Sequence, residues 1–178
     1  MEEFVIKTEN LYEGKIVNLK IETVELPNKK YSKREIVEHP GGVGVVPITE
    51  DGKVVLVKQF RIATGKTLIE IPAGKLEPNE EPKETAIREL KEETGYSTEN
   101  IKFLKEFYVS PGYCTEKINV FLATDLVAGD QNLDENEFLE VLELPLEQAY
   151  EKIETGEITD AKTIIGITFA MLEKGFNE

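Results

Sequence analysis

The chain is poor in the residues that most often form metal sites and catalytic triads. Its 178 residues include one cysteine, Cys114, and one histidine, His39. A single cysteine excludes an internal disulfide and a zinc site built on thiolates. A lone histidine lacks the partner set of a triad, and its position in EHPGG is typical of a turn. Acid–base chemistry in this chain therefore falls mainly on carboxylates.

Positive charge is scarce as well. The chain has 21 lysines and arginines against 35 aspartates and glutamates, which gives a formal net charge of −14. This balance argues against a nucleic-acid backbone or an anionic membrane as partner. A ligand that carries phosphates would need local positive charge or bound cations in order to bind.

Membrane-spanning and export signals are also lacking. No apolar run approaches the ~20 residues that a transmembrane helix needs. The first residues, MEEFVIKTENLYEGK, lack the basic and apolar regions of a signal peptide. Together with the single cysteine, these features predict a reducing, cytoplasmic setting.

The length fits one ordinary domain, or one domain with a small extension. Alternating apolar and polar residues between positions 14 and 38 predict strands. HPGG, at 39–42, is the best candidate boundary, so we expect a strand-rich extension at 1–40 and a main domain at 41–178. Beyond the boundary, VGVVPI and VVLVKQF flank a Glu50-Asp51-Gly52 turn and predict a hairpin, and LIEIPAG predicts another short strand.

Residues 81–94 carry the signals of a helix. Pro82 suits the first helical position, and Gly95 suits the left-handed stop just past the end. Strands are predicted at IKFLKEFYVS, KINVFLATDLV and FLEVLELPL, and GDQNLDENEF is predicted to be an acidic loop. Two more helices, EQAYEKIETG and DAKTIIGITFAMLEKG, follow. The mixture predicts an α+β or layered α/β/α domain.

The first helix places three glutamates close together. On a helical wheel Ala86, Ile87, Leu90 and Thr94 form the apolar stripe, and Glu89, Glu92 and Glu93 fall on a neighbouring side. Like charges at i,i+3 and i,i+4 cost a few tenths of a kcal/mol each when exposed. Arg88 can offset part of this cost through an i,i+4 ion pair with Glu92. The cluster is either a solvated acidic face or a site for a divalent cation of the Mg²⁺ or Mn²⁺ kind.

The spacing separates these two interpretations. The segment GKLEPNEEPKETAIRELKEETGY, residues 74–96, contains Gly74, Glu80, Arg88-Glu89-Leu90, Glu92-Glu93 and Gly95 at fixed intervals. This pattern resembles the Nudix box of the Nudix hydrolases. A chance match has a probability on the order of one in a million or less. Tyr96 departs from the pattern, because an aliphatic residue is more usual at this position. The position is structural.

The resemblance implies a loop–helix–loop whose helix presents metal ligands. Two or three Mg²⁺ or Mn²⁺ ions would bind Glu89 and Glu93 directly, with Glu92 nearby and the backbone carbonyl of Ala73 as a further ligand. Arg88 would orient the glutamates, Glu80 would support the loop, and Gly74 and Gly95 would allow backbone turns that a side chain hinders.

Further segments resemble one subgroup, the ADP-ribose pyrophosphatases. SPGYCTEK places Pro111 sixteen residues after Gly95, and LIEIPAGKLE, VKQFR and ITDAKTIIGI are also similar to that subgroup. The strand-rich extension at 1–40 is also similar to that subgroup, and this resemblance implies a homodimer. The resemblance assigns substrate contacts to Arg34, which would reach across the dimer interface, to Arg61 and Pro111, and as weaker candidates to Glu35 and Glu70. Arginine suits phosphate because its guanidinium donates two hydrogen bonds at once.

The base that activates water is expected on the acidic loop. LDENEFLEV resembles the catalytic loop of the subgroup, and Glu135 aligns best with its base, with Glu137 as the second choice. The alternative is a merely solvated acidic loop. Among the candidates, Glu135, Glu137, Arg88 and Glu92 are expected to act in the chemistry itself.

The prediction is an α+β protein with the layered α/β/α Nudix fold, a mixed sheet between helices and a small N-terminal antiparallel β extension. We expect Mg²⁺-dependent hydrolysis of ADP-ribose to AMP and ribose 5-phosphate. The alternatives are another nucleoside diphosphate sugar such as GDP-mannose, a dinucleoside polyphosphate, or a non-catalytic Nudix domain that senses a nucleotide sugar.

Overall fold

The computed structural model describes residues 2–133, 135 and 137–175. It divides into two compact units. The first unit comprises Met1–Gly41 and Tyr108–Lys117, and the second comprises Gly42–Phe107 and Ile118–Glu178. The predicted domain division into 1–40 and 41–178 stays a prediction.

The first unit contains a three-stranded antiparallel sheet. Its strands are β1 (Phe4–Glu13), β2 (Asn18–Glu25) and β3 (Tyr31–Glu38), in the order β1-β2-β3. Strand β1 lies before the region where the sequence predicted strands. Its pairing with β2 is interrupted by two register shifts, and almost all of its residues are exposed. It therefore lacks the two-residue alternation by which strands are recognised.

The second unit contains two sheets. The three-stranded sheet has the order β10-β5-β6, and the four-stranded sheet has the order β7-β4-β9-β8. Strand β4 runs parallel to β9 and antiparallel to β7, so the four-stranded sheet is mixed. The strands are β4 (Gly42–Pro47), β5 (Lys53–Arg61), β6 (Lys66–Glu70), β7 (Ala73–Lys75), β8 (Asn100–Tyr108), β9 (Lys117–Thr124) and β10 (Leu139–Pro145). The helices are α1 (Pro82–Thr94), α2 (Leu146–Glu154) and α3 (Ala161–Gly175).

The predicted hairpin between β4 and β5 is wrong. The turn forms, because the Gly52 N–H donates to the Thr49 carbonyl at 3.0 Å. Only an isolated bridge between Ile48 and Val54 joins the two segments, and the strands then separate into different sheets. All six residues of β4 are buried, which is typical of an interior strand with both faces covered.

The two faces of β4 pack against different helices. Val43 and Val45 belong to one buried cluster with Ala86 and Leu90 of α1. Val46 belongs to a second buried cluster that includes residues of α2 and α3. The sheet thus lies between helices, and the predicted layered α+β fold is confirmed. Among the described residues, no helix combines the length and the apolar character needed to cross a membrane.

Candidate active site

Helix α1 is bounded as its sequence predicts. Glu81 is the N-cap, Pro82 is the first helical residue, and Gly95 follows the last turn with a φ of 77°. The buried side differs from the predicted stripe, because Ile87 is only half-buried and both Thr85 and a glutamate, Glu93, are buried. The buried residues of α1 are Thr85, Ala86, Leu90, Glu93 and Thr94.

Glu93 is a carboxylate in the protein interior. Its side chain is 2% exposed, and its Oε2 accepts a hydrogen bond from the Ala73 N–H at 3.0 Å. Burial raises the pKa of Glu93 to about 8, and the negative charges of Glu137 and Glu89 act in the same direction. A solvated acidic face therefore does not describe this residue. Additional positive charge in the site, such as a bound cation, would favour its ionised form.

Arg88 contacts three glutamates of the predicted box. Its Nε and Nη2 donate to the two carboxylate oxygens of Glu80, at 3.0 and 3.1 Å. Its Nη1 donates to Glu89 Oε1 at 2.8 Å and to Glu92 Oε2 at 2.9 Å. The hydrogen bonds from Arg88 lower the pKa of Glu80 to about 2. Arg88 thus joins the loop before α1 to the acidic side of the helix.

Gly74 makes room for Glu89. A Cβ atom at position 74 would lie 1.8 Å from Glu89 Oε1, so any larger residue would displace this carboxylate. The sequence predicted a backbone turn at Gly74, but the residue lies in strand β7 and its role here is steric. Burial raises the pKa of Glu89, although Arg88 lowers it, and the charges of Glu92 and Glu137 add to the increase.

A second buried glutamate, Glu70, ends strand β6. Its side chain is 1% exposed, and Arg61 holds it side-on, with Nε 2.8 Å from Oε1 and Nη2 2.8 Å from Oε2. Lys162 Nζ also donates to Glu70 Oε2. Burial alone would raise the pKa of Glu70, but the hydrogen bonds and charges of Arg61 and Lys162 outweigh it and lower the pKa.

The acidic loop places its two candidate bases differently. Glu135 is exposed in a turn, whereas Glu137 is half-buried and accepts a hydrogen bond from Gln59 Nε2 at 3.4 Å. The negative charge of Glu137 contributes to the raised pKa values of both Glu89 and Glu93. Among the described carboxylates of this loop, Glu137 is the one whose charge contributes to the pKa values of Glu89 and Glu93. Asp134 and Asn136 of this loop lie outside the described residues.

Comparisons with known proteins identify the family. A family profile described as NUDIX domain matches residues 38–165. This chain belongs to the Nudix family. It is 48% identical to an ADP-ribose pyrophosphatase of Bacillus subtilis, over 98% of this chain and 95% of that protein. It is 45% identical to a methanol dehydrogenase activator of Bacillus methanolicus, over 97% and 95% of the two chains.

Two less similar proteins are a relative with a different activity and a solved structure with the same fold. A GDP-mannose pyrophosphatase of Escherichia coli is 39% identical, over 79% of this chain and 78% of that protein. A solved structure described as an ADP compounds hydrolase superposes with a TM-score of 0.88, covers 99% of this chain and 96% of its own, and is 23% identical. The predicted Nudix fold is confirmed, as is the predicted membership of the family.

Nudix hydrolases generally need a divalent metal ion, and the donors of this Nudix site suit one. Hard cations such as Mg²⁺ prefer carboxylate and carbonyl oxygens, which Glu89, Glu92, Glu93 and Ala73 supply. Within residues 2–133, 135 and 137–175 there is no group of three acidic, histidine or cysteine side chains already arranged to hold a metal. Arg88 instead holds Glu89 and Glu92, and Glu93 bonds to the Ala73 N–H.

Three predicted substrate contacts of the Nudix chain belong to the first unit. Arg34 in β3 is paired side-on with Glu3, with Nη2 2.6 Å from Oε1 and Nε 3.0 Å from Oε2. Glu35, its neighbour, is exposed. Pro111 is exposed in a turn that bonds back to β3, where the Val37 N–H donates to the Tyr113 carbonyl at 2.8 Å. In the second unit Arg61 and Glu70 contact each other.

Two residues of this Nudix site were not predicted from the sequence. Lys162 lies in ITDAKTIIGI, a segment similar to the ADP-ribose pyrophosphatases, but one lysine in the first turn of a helix carries no signal of its own. Gln59 lies beside Phe60 in VKQFR, and its Oε1 atom is buried without a hydrogen-bond partner in the described part of the chain. Neither residue could be assigned before its partner in space was known.

Proposed function

We propose that this Nudix protein hydrolyses the pyrophosphate bond of ADP-ribose and releases AMP and ribose 5-phosphate. The observation that carries the proposal is the buried carboxylate of Glu93, placed against the Ala73 backbone beside Glu89, because such a group is stable as an anion only next to a cation. The relative from Bacillus subtilis, similar over nearly the whole chain, supports the choice of ADP-ribose.

Glu89, Glu92, Glu93 and the Ala73 carbonyl are the groups that would hold Mg²⁺ or Mn²⁺, in two or three ions. Such ions polarise phosphoryl oxygens and lower the pKa of bound water. The protein supplies the geometry around them. Arg88 orients three carboxylates, and Gly74 keeps open the space that Glu89 occupies.

The remaining residues bind the substrate and move the proton. Arg61 is 40% exposed and fixed by Glu70 from behind, so its guanidinium can donate to a phosphate oxygen. A carboxylate of the acidic loop accepts a proton from a water molecule while the oxygen of that water attacks phosphorus. The bond between this phosphorus and the bridging oxygen then breaks. Glu137 is favoured over Glu135 by its electrostatic effect on Glu89 and Glu93.

Substitutions can show which of the two loop glutamates, Glu135 or Glu137, is the catalytic base. Glu137→Gln removes the base while keeping the shape, so we expect kcat to fall about 100-fold. Glu135→Gln is the matched control and should change kcat by less than about threefold, because an exposed side chain contributes little to the site. A large loss in Glu135→Gln with full activity in Glu137→Gln would reverse this assignment.

We further propose a cytoplasmic homodimer in which the extension at 1–40 forms the interface, with Arg34, Glu35 and Pro111 completing the substrate site. Strand β1 carries exposed apolar side chains that a second subunit could cover, among them Phe4, Val5, Ile6, Leu11 and Tyr12. Light scattering should give twice the chain mass of 20.1 kDa. A monomer at micromolar concentration would exclude this assembly.

Two relatives keep alternative functions open. The GDP-mannose pyrophosphatase favours another nucleoside diphosphate sugar, and a dinucleoside polyphosphate is a further candidate substrate. The methanol dehydrogenase activator favours a protein that acts on a partner enzyme and binds a nucleotide sugar without turnover. The full set of box glutamates weighs against a pure binder, since binding alone does not need them.

One experiment distinguishes these functions. Initial rates with ADP-ribose, GDP-mannose and a dinucleoside polyphosphate, with and without Mg²⁺, rank the substrates by kcat/KM. Product analysis in ¹⁸O-labelled water then identifies the phosphorus that is attacked. We expect ADP-ribose to rank first and turnover to require the metal. A higher kcat/KM for another compound would replace the substrate, and no turnover of any of them would favour the regulatory alternative.

A further inference from the structure

A buried carboxylate shared by two cations lies behind the proposed phosphate-binding arginine. Glu70 Oε2 receives hydrogen bonds from both Arg61 Nη2 and Lys162 Nζ, and Oε1 receives the bond from Arg61 Nε. Both oxygens of Glu70 are therefore occupied within the protein, and the side chain is 1% exposed. In this arrangement Glu70 holds Arg61 through both of its carboxylate oxygens, and a direct contact of Glu70 with substrate stays a prediction.

Lys162 is in turn held by the start of helix α3. Its Nζ lies 3.1 Å from Asp160 Oδ2, and the same oxygen caps the helix by accepting from the Thr163 N–H at 3.0 Å. Lys162 therefore bridges two carboxylates, one on β6 and one before α3. Without its charge these two carboxylates would repel each other across a mostly buried space.

The same helix start also supports the metal-binding segment. Thr163 Oγ1 accepts a hydrogen bond from the Ile71 N–H at 2.8 Å, and Ile71 directly follows Glu70. Residues 70–73 are thus tied to α3 at two points, through Lys162 at Glu70 and through Thr163 at Ile71. A change at Lys162 is transmitted to Arg61 through the Glu70 carboxylate.

We propose that Lys162 is a positioning residue that acts on substrate binding through Glu70 and Arg61. The proposal rests on the proposed function, in which Arg61 binds a phosphate oxygen. The side-on pair uses Nε and Nη2 of Arg61, so Nη1 is the nitrogen available to the substrate. Lys162 holds the Glu70 carboxylate at Oε2. The held carboxylate then fixes the plane of the Arg61 guanidinium.

The first test is the kinetics of Lys162→Met in the full chain with Mg²⁺ and ADP-ribose. We expect KM to rise about tenfold and kcat to change by less than about threefold, because a ground-state contact to phosphate is loosened. Lys152→Met is the matched control, since Lys152 pairs with Glu157 at 2.6 Å in a different helix, and it should leave both constants unchanged. Lys162→Arg keeps the charge and should recover most of the loss in KM.

The second test asks whether Lys162 acts through Glu70. Glu70→Gln should raise KM by itself, and the double variant Lys162→Met with Glu70→Gln should be no worse than Glu70→Gln alone. Independent, multiplying effects would contradict the proposed route. Lys162→Gln removes the charge and keeps a hydrogen-bond donor on a slightly shorter side chain, so it replaces Lys162→Met if the latter does not fold.

The third test needs no substrate. The ¹⁵N signal of Arg61 Nε–Hε, assigned by its loss in Arg61→Lys, should exchange slowly with solvent in the wild type and about fivefold faster in Lys162→Met. Unchanged exchange together with an unchanged KM would overturn the proposal. If the wild type does not hydrolyse ADP-ribose, the proposed function fails, and this exchange rate alone decides whether Lys162 positions Arg61.

Discussion

The second unit contains two buried glutamates whose environments differ in the charge of their neighbours. Glu70 is 1% exposed and Glu93 is 2% exposed, so burial opposes ionisation in both. Glu70 has Arg61 and Lys162 as direct partners, and its pKa is lowered. Glu93 has one backbone N–H as a partner and two carboxylates near it, and its pKa is raised to about 8.

The two glutamates differ in how their charge is balanced. Glu70 has two direct cationic partners, whereas no direct cationic partner of Glu93 is found among the described residues. The charge of Glu70 is balanced within the protein by Arg61 and Lys162, which agrees with the proposed role of this residue in positioning Arg61. Glu93 lacks such a counter-ion among its described contacts, so a divalent cation bound there, as we propose, would stabilise its ionised form. The direction of the pKa shift therefore indicates which buried carboxylate is a candidate metal ligand.

The largest expected effect comes from removing the charge of Glu93. Glu93→Gln keeps the shape and the hydrogen bond from Ala73, but it removes the carboxylate that we propose as a metal ligand. We expect kcat/KM with Mg²⁺ to fall more than 100-fold while the circular dichroism spectrum is retained. Activity equal to the wild type would show that Glu93 is not a metal ligand, and the proposed difference in role between Glu93 and Glu70 would be wrong.

The matching substitution in the other cluster should act on stability. Glu70→Gln leaves Arg61 and Lys162 with a neutral partner in a buried site, so we expect the free energy of unfolding to fall by about 2 kcal/mol. Urea denaturation with and without EDTA measures this loss. It should be the same in both conditions, because Glu70 is not expected to contact the metal; a loss confined to the metal-bound protein would contradict this.

Gly74→Ala tests the space reserved for Glu89. The added Cβ would lie 1.8 Å from Glu89 Oε1, and the flexible end of this side chain can move away. We therefore expect about a 20-fold loss of kcat/KM with little change in stability. Gly175→Ala, where a Cβ meets nothing within 4 Å, is the control. Full activity of Gly74→Ala would show that the position of Glu89 is unimportant.

The smallest effect concerns the pH dependence of stability without metal. Because the pKa of Glu93 is raised from 4.5 to about 8, its neutral form is favoured in the fold, and stability is lost as the pH rises through this range. In EDTA, Glu93→Gln should match the wild type at pH 4.5 and melt about 5 °C higher at pH 8. Mg²⁺ should in turn raise the melting temperature of the wild type more at pH 8 than at pH 6. A wild type more stable than the variant at pH 8 in EDTA would contradict the raised pKa.

Much of the site could be predicted from local sequence. Pro82 and Gly95 marked the ends of α1, and the box spacing brought Arg88, Glu89, Glu92 and Glu93 into one group. The predicted Arg88–Glu92 pair is present at 2.9 Å. These features depend on residues within a few turns of one helix, where a period of 3.6 residues fixes the neighbours.

The roles within that group depended on distant parts of the chain. The buried side of Glu93 is covered by the segment at Ala73, 20 residues earlier, and Gly74 gained its steric role from Glu89. The hairpin prediction failed for a related reason, because β4 pairs with β9 and not with its neighbour in sequence. The preference for Glu137 over Glu135 also required the site to be assembled.

The sequence by itself determined the family, the first helix and the set of acidic candidates, because these follow from spacing and local periodicity. Only the tertiary structure decided which buried glutamate has a backbone N–H as its described partner and which has two direct cationic partners. Glu70 and Lys162 are 92 residues apart in the chain, yet they share a hydrogen bond. Burial and ion pairing depend on which segments of the chain pack against each other. A helical wheel describes one helix and contains no information about the segments that pack against it.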